Sequence, residues 1–255
     1  MIDIAWTIIR YHRRKKHILW LIVLVIIAMS VQPLIQGLAL GEESYVMTQW
    51  MLSSIEMIGL VFVIYFASTI HHQYQDTQIL PLLMSKRSSS YAYIGGILWW
   101  MITIMTIYTI IAGIALMIST DMTTITIFYQ ILSRLIIFST MITISLFISL
   151  FASPYIAMMA SLVIYGVSYS INFLLFITTQ TSSSLRTHDI IQFVSLFLPR
   201  FDLLVSGMWS HTRRWAIAAH STYTIIVISL TTISFSYSYL WRSSLVSTHD
   251  SNKKD

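Results

Sequence analysis

Long apolar runs separated by short polar segments dominate the chain. A helix needs about twenty predominantly apolar residues to cross a bilayer, and six of the runs reach that length. They predict spans at Ile18 to Leu40, Trp50 to Ile70, Tyr93 to Ile118, Ile127 to Phe151, Tyr155 to Ile177 and Trp215 to Trp241. Because the apolar residues are continuous and do not alternate with polar ones, the pattern favours membrane helices over a barrel. The expected fold is therefore all-α, a polytopic integral membrane protein.

The composition also indicates a membrane protein and excludes every site that needs a cysteine. Of 255 residues, 56% are hydrophobic and 10% are charged, whereas about a quarter of a soluble domain is charged. No cysteine is present, which excludes disulfides, thiolate metal sites and a cysteine nucleophile. No soluble domain fits between the spans, so residues 1–255 are predicted to form one transmembrane domain.

The N-terminal segment, residues 1–17, combines apolar residues and a tryptophan with a group of cations. Ile2 and Trp6 come first, and Arg13-Arg14-Lys15-Lys16 follow. This pattern is typical of an interfacial helix lying on an anionic membrane surface. The alternative is a group of positive charges that only orients the first span, and both can hold together.

The distribution of Lys and Arg residues also predicts how the chain is oriented in the membrane. Six spans place both termini on one side, and ten of the fifteen Lys and Arg residues lie in the N-terminal segment, the 71–92 loop and the C-terminal tail. By the positive-inside rule, both termini and that loop are expected to be cytoplasmic, in a cell (inner) membrane. The long outer connection, Thr178 to Arg214, contains an apolar stretch, Ile190 to Val205, that Pro199 interrupts. This stretch predicts a re-entrant or interfacial hairpin, and a seventh span is the alternative.

The loop from His71 to Ala92 is more apolar than a simple turn requires. Between Ile79 and Met84 only Pro81 is not a large apolar residue, and Lys86-Arg87 and a serine run follow. Because proline is tolerated in the first turn of a helix, a short helix is predicted to start near Leu80. Such a segment either docks on a partner or rests on lipid headgroups.

The same segment resembles a motif of ABC-2-type permeases, the membrane subunits of a class of ATP-driven exporters. In that family the loop after the second span is similar to E-x-G-T-L-E-L-L-L-S-K-P-I-S-R-S-E-Y-L-L-G-K. Asp76 to Ile97 matches it at Asp76, Leu80, Leu82, Leu83, Met84, Ser85, Lys86, Ser89, Tyr93, Ile94 and Gly96. Phe197 to Leu204, FLPRFDLL, is similar to the P-x-F element that precedes the last helix in many of these permeases.

The resemblance implies a division of labour between subunits. The chain has no G-x-x-x-x-G-K-[ST] phosphate loop, so ATP and Mg²⁺ would be bound by a separate ATPase subunit and this chain would not itself be an enzyme. The permease would work as a homodimer or paired with a second permease, and export is the expected direction. The residues expected to contact the ATPase are Asp76, Leu80, Leu82, Leu83, Lys86 and Arg87. Two alternatives remain: a membrane scaffold or assembly factor that docks another partner, and a secondary transporter, which no inverted repeat supports.

Two charged residues lie within predicted spans, where charge is costly unless it is paired or hydrated. Glu56 lies in the second span and Arg134 lies at a similar depth in the fourth. The sequence allows a Glu56 to Arg134 ion pair, and it equally allows both side chains to extend to the nearby interface.

Other polar residues in the spans are the remaining site candidates. The resemblance implies that the second and fifth helices line the translocation path, which makes Glu56, Tyr65, Tyr165, Tyr169 and Asn172 candidate path residues. Ordinary hydrogen bonding between helices is the alternative. The adjacent histidines at positions 71 and 72 point to different helix faces, and the others are scattered, so no metal site is predicted.

Overall fold

The computed structural model describes residues 23–24, 26–27, 30, 43–76, 90–119, 123–180, 198–199, 201 and 219–237. Within these ranges the chain is helical apart from turns, and they contain no strand. The helices are α1 (Glu43–Asp76), α2 (Ser90–Ser119), α3 (Thr124–Ser149) and α4 (Pro154–Gln180). Residues 219–237 form a further helical segment, and the described residues between 23 and 30 are also helical.

Four stretches are long and apolar enough to cross a membrane, judged by length and composition: Thr48–Asp76, Ala92–Ile118, Thr124–Ser149 and Pro154–Ile171. They confirm the expectation of a helical, multi-pass membrane protein. The predicted first span lies mostly outside the described residues. Residues 219–237 cover the middle of the predicted sixth span as a helix, although this segment is not one of the four.

The helix that contains the predicted second span is longer than that span at both ends. Helix α1 begins at Glu43 and ends at Asp76, so it extends into both flanking segments that were predicted as loops. Its 34 residues give a length of about 50 Å, against about 30 Å for the hydrocarbon core. The helix continues past Ile70 because residues 71–76 contain no proline or glycine and because His71 and Tyr74 are still buried. The 71–92 loop is correspondingly shorter, since residues 71–76 and 90–92 are helical.

The connection between α3 and α4 is a tight turn, as the sequence predicts. Helix α3 ends at Ser149, residues 150–153 make the turn, and Pro154 is the first residue of α4. Proline suits that position because the first backbone N–H of a helix has no intrahelical acceptor. So short a turn makes the two helices antiparallel.

The end of α1, the start of α2, the α3–α4 turn and the 219–237 segment meet at one end of the bundle. Near the Asp76 end of α1, the ring centroids of Tyr74 and Tyr93 in α2 are 6.2 Å apart. Tyr93 also stacks on Phe235 at 4.9 Å, and His72 contacts the α3–α4 turn. Helices α1 and α3 therefore run in the same direction, and α2 and α4 run opposite to them.

Helix α3 lies at the centre of the described bundle. Every residue from Thr140 to Leu146 is buried, and seven consecutive residues of a helix face all of its sides. Helix α1 packs closely against it, because the ring of Phe138 occupies the space where a side chain at Gly59 would begin. Helix α4 is peripheral: 22% of its membrane stretch is buried, compared with 50–61% in the other three.

Candidate functional site

A buried ion pair joins α1 and α3 inside the bundle. The Arg134 Nη2 atom lies 3.5 Å from Glu56 Oε2, and the two side chains are only 4% and 8% exposed. Glu56 lies eight residues from Thr48, where the first membrane stretch begins, which corresponds to a depth of about 12 Å. Of the two arrangements that the sequence allows, the structure therefore has the ion pair. The two charges neutralise each other where an isolated charge would be costly.

Arg134 is further held by its own helix. Its Nη1 atom donates to the Gln130 side-chain oxygen at 2.7 Å and to the Gln130 backbone carbonyl at 3.2 Å. Gln130 lies four residues before Arg134, the spacing at which two side chains meet on one helix face. The Arg134 Nε atom is buried and has no hydrogen-bond partner among the described residues. The guanidinium is therefore fixed in direction but not fully satisfied.

Glu56 has a second partner, which comes from α4. The Tyr165 hydroxyl donates to Glu56 Oε1 at 2.6 Å, a short bond of the kind that an ionised acceptor forms. One residue before Glu56, the Ile55 carbonyl accepts a hydrogen bond at 2.8 Å from the Tyr108 hydroxyl of α2. The polar cluster, defined here as Glu56, Gln130, Arg134 and Tyr165, thus connects α1, α3 and α4, while Tyr108 ties α2 to the same level.

An aromatic row continues from the polar cluster. Successive ring centroids from Tyr169 to Tyr165, Phe201 and His220 are 5.9, 5.7 and 5.7 Å apart. Phe201 is fully buried, and its backbone N–H donates to the Pro199 carbonyl at 3.1 Å. The FLPRFDLL element therefore inserts a ring into the bundle beside Tyr165. This contact was not predicted from the sequence.

The other predicted path residues do not all join the cluster. Tyr169 contacts Tyr165 but is 45% exposed. Tyr65 is 46% exposed and lines an open apolar groove of about 420 Å³ with Leu24, Met57, Ile58, Val61 and Phe62. Asn172 lies in α4, and its side chain is outside the described part of the chain.

The predicted coupling residues lie mostly outside the described residues. These are Leu80, Leu82, Leu83, Lys86 and Arg87. Asp76 is described: it is exposed and is the last residue of α1.

Many of the described Ser and Thr hydroxyls donate to a carbonyl of their own helix. Thr69, Thr106 and Ser161, for example, donate to carbonyls four residues earlier, at 2.7–2.9 Å. The pair Thr140 and Thr224 is different, since it joins α3 to the 219–237 segment at 3.0 Å. The buried hydroxyls of Ser68, Ser145 and Ser168 have no partner among the described residues. Hydrogen bonding between helices, the alternative to a path role, is seen at Tyr165, whose hydroxyl donates to Glu56.

At the Asp76 end, two histidines make contacts that sequence reasoning missed. His71 is buried beside Tyr93 and Phe235, and His72 contacts the α3–α4 turn. Gln130 could have been found from its spacing to Arg134. For Phe201 and the histidines the sequence offers no such signal, because their partners are distant along the chain.

Among the described residues, no group of three or more His, Cys, Asp or Glu side chains is placed to hold a metal ion. The polar cluster links helices. Its four side chains belong to three helices, so any relative shift of these helices must break or rebuild its hydrogen bonds.

Comparison with known proteins found no match among protein-family models, curated proteins or solved structures. The likeness to ABC-2-type permeases therefore depends on the residues of the chain itself.

Proposed function

We propose that this chain is the membrane-spanning permease subunit of an ABC-2-type ATP-binding cassette exporter. It has six spans in the cytoplasmic membrane, with both termini in the cytoplasm and residues 1–17 lying at the interface. It works as a dimer with a second permease. ATP and Mg²⁺ bind to separate ATPase subunits.

The observation that carries the proposal is the segment from Asp76 to Ile97. Its ends belong to two membrane helices, since Asp76 is the last residue of α1 and Ser90 is the first residue of α2. Tyr93, one of the matching positions, is fully buried in the bundle. A partner that engages the apolar residues between these helices would therefore act directly on both of them.

Helix α1 offers a route from this segment to the polar cluster. It is continuous from Glu56 to Asp76, a distance of about 30 Å at 1.5 Å per residue. In the proposed cycle, ATP closes the ATPase dimer and pushes the segment from Asp76 to Arg87. The push moves α1 relative to α3 and α4, and the interface between the two permeases opens outward.

The proposed cycle assigns roles to the coupling residues and to the path residues. Leu80, Leu82 and Leu83 insert into a groove of the ATPase, while Asp76, Lys86 and Arg87 form charged contacts at its rim. Glu56, Tyr165 and Tyr169 contribute to the translocation path. The proposal for these three is supported by their contacts with one another, whereas Tyr65 faces the apolar groove.

The test replaces two of the inserted residues. Leu82→Ser combined with Leu83→Ser removes apolar surface worth about 3 kcal/mol, enough to weaken a partner about a hundredfold. The purified complex should lose its ATPase subunit while the permease stays in the membrane, because no spanning helix is altered. Ser88→Ala with Ser89→Ala in the same loop is the control and should keep the complex intact.

Two results would contradict the proposal. One is that the wild-type chain never co-purifies with an ATPase. The other is that the double serine variant keeps an ATPase bound and fully active in transport. Either result would favour the non-transporting scaffold or assembly factor, whose loop docks a different cytoplasmic partner.

A further inference from the structure

The last turns of α1 contact three other elements through two adjacent histidines. Neighbouring residues on a helix point about 100° apart, so His71 and His72 face different partners. His71 lies 3.4 Å from the Tyr93 hydroxyl through Nδ1, and its ring meets Phe235 at 5.6 Å. The Gln75 amide lies 2.9 Å from the other ring nitrogen of His71. His71 thus connects α1 to the start of α2 and to the 219–237 segment.

His72 makes a different kind of contact. Its Nε2 atom lies 3.0 Å from the Ser149 carbonyl and 3.2 Å from the Ala152 carbonyl. A carbonyl oxygen only accepts, so the nitrogen carries the proton and donates to both. The last carbonyls of a helix have no partner within that helix, and His72 supplies one at the end of α3. The His72 side chain therefore fastens the α3–α4 turn to α1.

His72 lies between the proposed coupling segment and the turn that leads into α4. It lies one helical turn before Asp76, where the proposed coupling segment begins. The turn that it holds is followed directly by α4, which carries Tyr165 of the polar cluster. A displacement of the Asp76 end of α1 therefore reaches α3 and α4 at the membrane surface, in addition to the contacts at Glu56.

We infer that His72 is a positioning residue that transmits displacement of the Asp76 end of α1 to the α3–α4 turn. That ATP drives this displacement rests on the proposed function, whereas the contact between His72 and the turn is independent of it. The contact and the ATP-driven displacement are therefore tested by separate measurements.

The first measurement uses the chain alone in lipid nanodiscs. Because the chain has no cysteine, Ser153→Cys gives one reactive thiol at the exposed position that ends the turn. Adding His72→Leu removes the donor and should raise the rate of maleimide labelling at position 153 by threefold or more. His72→Gln, whose amide can donate, should restore the rate to within twofold of the parent.

Two controls separate release of the turn from general damage. Thr69→Val removes a hydrogen bond that lies within α1 and should leave the rate at position 153 unchanged. A single cysteine at Ser44, at the far end of α1, should label at the same rate with and without His72→Leu. An unchanged rate at position 153 in His72→Leu, or an equal rise at position 44, would overturn the inference.

The second measurement uses the complex with its ATPase, trapped with Mg-ATP and vanadate. Trapping should change the labelling rate at position 153 in the parent and in His72→Gln. In His72→Leu the ATPase should remain bound while trapping no longer changes that rate, and a change equal to that of the parent would overturn the transmission role. If no ATPase co-purifies, the proposed function fails, and the first measurement alone decides whether His72 holds the turn.

Discussion

Glu56 and Arg134 show how single polar residues are accommodated within the apolar bundle. A charged residue at the centre of a membrane helix costs about 2.5–3.5 kcal/mol on insertion scales. Glu56 forms an ion pair with Arg134 and accepts a hydrogen bond from Tyr165. Arg134 also donates a hydrogen bond to the side-chain oxygen of Gln130. Pairing offsets the cost of both charges, but removal of either partner leaves the other exposed to the full cost.

The first prediction concerns this pair. Glu56→Gln and Arg134→Gln should each lower the free energy of unfolding by about 3–5 kcal/mol, because each leaves a buried charge unpaired. The double variant should lose less than the sum of the two single losses, since both charges are then absent. Reversible unfolding in mixed micelles measures the three values.

Ser53→Ala serves as the control, because Ser53 is exposed on the same helix and its replacement should change stability little. Strictly additive losses for Glu56 and Arg134 would show that the two side chains do not interact.

Tyr165 provides the second prediction at this scale. Tyr165→Phe keeps the ring contacts with Phe201 and Tyr169 but removes the 2.6 Å hydrogen bond to Glu56. Hydrogen bonds to charged groups contribute about 1.5–3 kcal/mol, so stability should fall by that amount in the same unfolding measurement. Tyr155→Phe, at a tyrosine that is 78% exposed, should have little effect. Equal effects of the two changes would contradict the role of the hydroxyl.

At the scale of elements, the close approach of α1 and α3 depends on a glycine. Phe138 is fully buried, and its ring lies against the backbone of Gly59. The absence of a side chain there lets the two helices come close enough for Glu56 and Arg134 to meet one turn away. Small residues serve this purpose generally in membrane helices, where packing replaces the hydrophobic effect as the main attraction.

The third prediction compares two glycines. Gly59→Ala should lower the free energy of unfolding by about 1–3 kcal/mol, because the new methyl group overlaps the Phe138 ring. Gly166→Ala in α4 meets no atom within 4 Å and should leave stability unchanged or raise it by up to about 1 kcal/mol. Comparing the two variants separates the effect of steric overlap from that of helix propensity. A stabilising effect of Gly59→Ala would contradict the packing of Phe138 against Gly59.

At the scale of the whole molecule, the described residues contain four helices long and apolar enough to cross a membrane, and α3 lies at the centre of the bundle that they form. The polar cluster occupies one level of this bundle, and the two histidines occupy the end where α1 leaves it. Both groups of contacts include α1 and α3, so these two helices cannot slide past each other without breaking the Glu56–Arg134 ion pair at one level and the His72 hydrogen bond to Ser149 at the other. This is the property that a subunit driven from its Asp76 end would need.

The fourth prediction concerns orientation. Single cysteines at positions 44 and 183 should react with an impermeant maleimide added to intact cells, and one at position 247 should react only after the membrane is opened. The expected result follows from the six proposed spans and from the concentration of cations near the termini and the 71–92 loop. Labelling of position 247 from outside would contradict the six-span arrangement.

The sequence alone determined that this is a helical membrane protein, because the length of an apolar run and the charges beside it are local properties. It also located Glu56, Arg134 and Tyr165 as polar residues within spans. Only the tertiary structure decided that these three meet, that Phe201 inserts beside Tyr165, and that His72 holds the α3–α4 turn. These contacts join residues far apart along the chain and depend on how each helix is rotated and crossed. Helices that are apolar on nearly every face carry little periodic signal of that rotation, so the sequence pattern could not supply it.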